Sequence, residues 1–218
     1  MADERDPELP GLLLRTERDL FVPLLREAAD RDFELRTACP GWTVRDVLAH
    51  CGAALTRVVE GRFERGVFSP EANDRDIAER AGWTNARVVD ELERGMTGAG
   101  PVIAASGGKL DGIALGEWVH AGDVREAFGV PGAYAGPGLD PALDLFAAVT
   151  RDRGTVPLTA RLTGADGELA LGAEDGERER ARYAGDGATL IRLYAGRPLT
   201  GTRYELTGAR ESELNLFG

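Results

Sequence analysis

The chain has 218 residues, 43% hydrophobic and 29% charged, a balance that suits one large folded domain or two small ones. Acidic residues outnumber basic ones 37 to 26, so the formal charge is −11. Nucleic-acid and anionic-membrane partners both call for a cationic surface, and the opposite balance here sets them aside. No apolar run approaches the roughly 18 residues of a bilayer span. The opening Met1-Ala2-Asp3-Glu4-Arg5-Asp6 is too acidic for a secretory leader, and a cytoplasmic protein is expected. Cys39 and Cys51 are the only cysteines. They are too few for a disulfide scaffold or zinc ribbon and read as small, semi-buried thiols. Lys109 is the only lysine against 25 arginines, a bias that a GC-rich genome writes.

Leu9 to Ala29 carries Leu12, Leu13, Leu20, Leu24 and Leu25 at helical spacings and predicts a first helix, which Pro23 is expected to kink or divide. Pro40-Gly41-Trp42 predicts a turn, followed by Thr43 and Asp46 as the two halves of a capping box. The helix they open presents Val44, Val47, Leu48, Leu55, Val58 and Val59 and is expected to run to about Arg65. Pro70 to Arg80 predicts a third helix, and Trp83-Thr84 a restart that continues to Gly95. Gly95 to Gly108, rich in Gly, Ala and Ser, reads as a loop. Leu110 to Phe128 is the last long helix of this half, closed by Gly129 and Pro131.

Gly132 to Pro141 reads as a linker, and beyond it the period changes. Leu143 to Val149 predicts a short helix. Leu158 to Leu162, Leu169 to Leu171, Arg178 to Tyr183 and Arg203 to Thr207 predict strands, with Asp186 capping a helix through Tyr194. The expected fold class is α+β. An N-terminal up-and-down four-helix bundle spans residues 1–135 and a small α+β domain spans 136–218.

The chain's two histidines, His50 and His120, each fall inside a predicted amphipathic helix. Imidazole is the commonest neutral metal ligand, and facing helices of a bundle can converge ligands on one ion. Glu117 and Asp123 lie three residues before and after His120 and are its neighbours on the helix surface. Two imidazoles and one carboxylate would leave an open position, the layout of catalytic zinc. Spacing alone does not say that the two helices face each other, and hydrogen-bonded core histidines remain the alternative. Cys51 follows His50 and points about 100° away around the helix, so it reads as core. Trp42 and Trp118 read as packing residues.

Cys39-Pro40-Gly41-Trp42-Thr43-Val44-Arg45-Asp46-Val47-Leu48-Ala49-His50 resembles the signature that opens the second helix of the mycothiol-dependent maleylpyruvate isomerase family, part of the DinB-like metalloprotein superfamily. Trp118-Val119-His120-Ala121-Gly122-Asp123-Val124-Arg125 resembles its second motif, and Tyr194-Ala195-Gly196-Arg197 the end of its tail. The resemblance implies a four-helix bundle holding a divalent metal, usually zinc, with a C-terminal domain that helps to cover it. By resemblance His50 and His120 are metal ligands. The family's glutamate ligand stands four residues before the second histidine, where this chain has Gly116. Glu117, one residue on, is then the expected carboxylate, with Asp123 as alternate or outer-shell partner. Arg197 resembles an arginine that reaches a carboxylate of substrate or thiol cofactor, and an exposed arginine at a helix end is the alternative.

A free thiol with a pKa near about 8.5 is mostly protonated at neutral pH, whereas a metal-bound thiol is deprotonated. The implied activity is therefore mycothiol-dependent isomerisation or S-transfer on a small electrophile, with Zn2+ and mycothiol as cofactors. The competing readings are a non-catalytic metal- or small-molecule-binding bundle in stress response or resistance, and an acidic interaction module.

Overall fold

Leu13, Leu14, Phe21, Val22 and Leu25 share one helical face, and in the computed structural model of the chain they line the buried side of α1, Leu9–Glu27. The structure describes residues 5–63, 69–174 and 178–216. Pro23 does not divide α1, contrary to expectation. Pro23 and Asp19, whose carbonyl loses its helical donor, both face solvent, so water can satisfy that oxygen while the buried face continues.

The capping box at Thr43 forms. Its hydroxyl accepts from the Asp46 amide at 3.2 Å, and the Asp46 carboxylate accepts from the Thr43 amide at 2.9 Å. This opens α2, Val44–Glu60, which stops short of the expected Arg65 because Gly61 adopts a left-handed φ of 65°. Arg65 itself lies outside the described residues. Pro70–Arg80 is α3, capped by Ser69.

Thr84 caps α4, Asn85–Ala105, which runs through the stretch expected to be a loop. The small residues there serve contact. A Cβ on Gly95 would sit 2.5 Å from Leu55 Cβ of α2, and one on Gly100 would sit 2.9 Å from Gly11 Cα of α1. Asp111–Ala127 is α5, ended by Gly129 at φ 70°. Among the long helices, α1 and α2 each pack against both α4 and α5, forming the four-helix bundle.

The described residues fall into two compact units, one from Asp6 to Tyr134 and the other taking up the remainder. The second begins with α6, Leu139–Asp152, longer at both ends than the predicted Leu143–Val149. A four-stranded sheet of order β2-β1-β3-β4 follows. Its strands are β1, Leu158–Leu162, β2, Leu169–Leu171, β3, Ala181–Gly185, and β4, Tyr204–Thr207. The β1–β3 pair is parallel and the outer two pairs are antiparallel. The third strand sits a few residues later than Arg178–Tyr183, since pairing with β1 sets its register from Ala181 opposite Leu158. Asp186 caps α7, Gly187–Tyr194, and Tyr194 packs edge-on against Phe146 of α6 at 4.7 Å. The fold class is the expected one: a helical bundle followed by a small α+β unit. Among the described residues no helix is long and apolar enough to cross a membrane.

Candidate metal centre

Cys39, Pro40, Gly41 and Trp42 form a tight turn closed by the Trp42 amide donating to the Cys39 carbonyl at 3.1 Å. Proline in the second place and glycine at φ 82° in the third match a type II turn. An isolated bridge between Arg36 and Thr43 holds its base, and the Thr37 hydroxyl accepts from the Cys39 amide at 3.2 Å. The turn thus fixes Cys39 and Trp42 just ahead of α2, which carries His50. Arg45 braces this start against the α3–α4 connection by donating to the Arg80 carbonyl at 2.9 Å and to the Trp83 carbonyl at 2.5 Å.

The two histidines are brought together. His50 on α2 and His120 on α5 meet edge to face with ring centroids 5.4 Å apart. Trp42 lies beside both, 5.1 Å from His50 and 6.3 Å from His120, so its packing role is played against the imidazoles. Burial, the nearby His120 and then Arg57 push the His50 pKa down to about 3, so its imidazole is neutral and ligand-competent. Its Nδ1 is shielded from solvent and has no hydrogen-bond partner among the described residues.

Asp123 is fully buried and lies in contact with His120: its Oδ2 is 3.2 Å from His120 Nδ1. The same Oδ2 accepts from the Cys39 thiol at 3.2 Å, and Cys39 Sγ is 3.5 Å from His120 Nδ1. Tyr134 donates to Asp123 Oδ1 at 2.6 Å. Sequence reasoning missed both of these partners. Cys39 reads from the sequence as a small, semi-buried thiol although it heads the first motif, and Tyr134 lies in the stretch that reads as linker. A buried carboxylate needs donors for both oxygens, and that requirement was the signal available for Tyr134. Arg125 of the second motif prepares the contact. It pairs with Glu17 of α1 and donates to the Ala133 carbonyl at 3.1 Å, pinning the chain beside Tyr134.

Glu117 is placed differently. It is buried, its polar contact is with the Cys51 thiol, and its Oε2 has no hydrogen-bond partner among the described residues. Burial pushes its pKa up to about 8, against a smaller lowering by the Cys51 hydrogen bond. Burial, followed by Glu117, pushes the Cys51 thiol well up, which suits the expected core role. Arg197 belongs to the other unit. It is half-buried there, and its Nη1 donates to the Ala195 carbonyl at 3.0 Å.

The donor set fits a divalent cation. Cys39, His120 and Asp123 offer ligand atoms that lie within 4.8 Å of one another, and the His50 ring against His120 carries a nitrogen with no hydrogen-bond partner among the described residues. Fold and donors together define a helical-bundle protein with a buried nitrogen, oxygen and sulfur cluster between two helices. The family is more specific. Residues 14–122, half of the chain, match the mycothiol maleylpyruvate isomerase N-terminal domain, and the chain belongs to that family. Its structure is similar to crystal structures of the mycothiol-dependent maleylpyruvate isomerase and of a histidine-to-alanine mutant of that enzyme. Each aligns with a TM-score of 0.61 and 18% identity over 95% of both chains. None of the curated proteins matches.

Proposed function

We propose that this protein is a mycothiol-dependent metalloenzyme that isomerises a small electrophile or joins the thiol to it through sulfur. The family supports the thiol and the reaction class, since its name carries both. The observation that carries the reading is the meeting of the chain's two histidines from separate helices, with a buried carboxylate against His120. In this reading His50 and His120 hold zinc with one carboxylate. Asp123, in contact with His120, is favoured over Glu117, whose polar partner is Cys51. The bound cation would supply positive charge that keeps a cosubstrate thiol ionised. Tyr134 fixes Asp123 by donating to its Oδ1, and Trp42 packs against both imidazoles. The metal-binding domain ends near residue 135, the α+β domain follows, and the setting is cytoplasmic. Arg197 pairs with a carboxylate of substrate or thiol.

Elemental analysis of protein purified without added metal, followed by an electrophile panel with and without mycothiol, tests this. Equimolar zinc and thiol-dependent turnover are expected, both lost in His50→Ala and His120→Ala. Arg197→Ala should keep the metal and lower turnover by about 1.5 to 3 kcal/mol of barrier, the range for a hydrogen bond to a charged group. Stoichiometric ligand binding with no turnover would instead mark a binding protein, and metal-free native protein would remove the metal from the reading.

A further inference from the structure

Cys39 has no place in the reading above, yet the fold spends a built turn on it. Cys39 is buried, and its sulfur touches both His120 and Asp123 of α5. A thiol needed only to fill space has no reason to face an imidazole and a carboxylate together. The three ligand atoms form a nearly equilateral triangle, with edges of 3.5, 3.2 and 3.2 Å. Three ligands on one face of a tetrahedral zinc, at about 2.3 Å for sulfur and 2.0 to 2.2 Å for nitrogen and oxygen, are separated by about 3.3 to 3.6 Å. The observed edges come within about 0.3 Å of that face, a contraction that zinc coordination would open slightly.

The second carboxylate oxygen fits the same arrangement. Tyr134 occupies Oδ1 at 2.6 Å, which leaves Oδ2 as the atom directed at Cys39 and His120. Outer-shell donors hold metal-binding carboxylates in this way. Gly122 makes the arrangement possible, because a Cβ there would collide with the Tyr134 ring.

We infer that Cys39 is a thiolate ligand of the metal, binding through Sγ on one face with His120 and Asp123. This rests on the metal reading and extends it. His50 completes the set from α2, and zinc can expand to five donors, which leaves room for a cosubstrate thiol. On loading, the Cys39 S–H proton passes to solvent, the sulfur keeps the electron pair and donates it to the ion, and no oxidant is involved. A thiolate in the shell also makes the site selective for zinc or cobalt over magnesium.

Cobalt(II) substitution of the full-length protein reports this directly, because a thiolate ligand adds an intense near-ultraviolet charge-transfer band to the weaker visible bands of the ion. Equilibrium dialysis measures binding in parallel. The wild type should bind cobalt and show the band. Cys39→Ser should still bind, at least about ten-fold more weakly, and lose the band. Cys51→Ser should keep it, which separates the two thiols. Cobalt bound without the band, or a band that survives Cys39→Ser, overturns the inference and leaves the metal reading standing. No cobalt binding by the wild type overturns both.

Discussion

Asp123 has no exposed surface, and a carboxylate in that setting is tolerable only because its oxygens are occupied by Tyr134, Cys39 and His120. Glu117 lacks such company, and the contrast yields a pH prediction for the metal-free protein. Its folded pKa, pushed up to about 8, lies above the ordinary carboxylate value near 4.5, so the folded state holds its proton where the unfolded chain has released it. The stability it contributes is therefore fully present below about pH 4.5 and is lost as pH rises through about 8. In EDTA-treated protein, Glu117→Gln should flatten the fall in unfolding free energy across that window. Urea titrations at a series of pH values read it out. An unchanged slope would mean that Glu117 is solvated or paired with another group.

Helix boundaries divide into those written locally and those decided by contact. The capping box of α2 and the Asp186 cap of α7 are short-range hydrogen-bonding patterns, and both are legible from the sequence alone. The continuation of α4 through Gly95, Gly98, Gly100 and Pro101 was not legible, because local propensity argues against it. Close approach of α2 and α1 overrides that propensity, and two substitutions in the same helix should separate the effects. Gly95→Ala gains helix propensity of up to about 1 kcal/mol but drives its Cβ into the Leu55 side chain, where overpacking costs about 1 to 3 kcal/mol. A net loss of about 1 kcal/mol is expected. Gly98→Ala meets Val59, an exposed side chain able to move, at 3.1 Å, and should be neutral or slightly stabilising. Thermal unfolding of the two variants compares them directly, and equal effects would show that propensity governs both.

A buried network also joins the elements around the site's flank. Arg80 of α3 pairs with Glu91 of α4, and Arg57 of α2 pairs with Asp76 of α3. The sequence does not reveal these pairs, since a run of acids and arginines looks the same whether it is solvated or enclosed. Burial of Asp76 and Glu91 shows that the pairs serve packing of the short α3 onto the bundle.

At the scale of the whole chain, the proposed ligands all belong to the first unit, so on the proposed reading zinc would stabilise that unit. At free zinc of 100 times the dissociation constant the gain is about 2.7 kcal/mol. For a protein of this size that amounts to a rise in Tm of about 5 to 10 °C. Hydrogen exchange should show protection gained in α2 and α5 with β1 to β4 unchanged; uniform protection, or none, would argue against a site built by those helices. The sequence by itself determined the net charge, the succession of bundle and α+β unit, most helix starts, and both motif histidines. These depend on composition, periodicity and capping, all of which act within a few residues. Only the tertiary structure decided which side chains meet His120. Residues 39, 123 and 134 come together through a type II turn, the packing of α2 against α5, and a glycine that admits a tyrosine ring, and spacing along the chain encodes none of these distances. Glu117 and Asp123 are equivalent by spacing, three residues either side of the histidine, and become different only when α5 is rotated into its place, with Asp123 facing Cys39 and Glu117 facing Cys51.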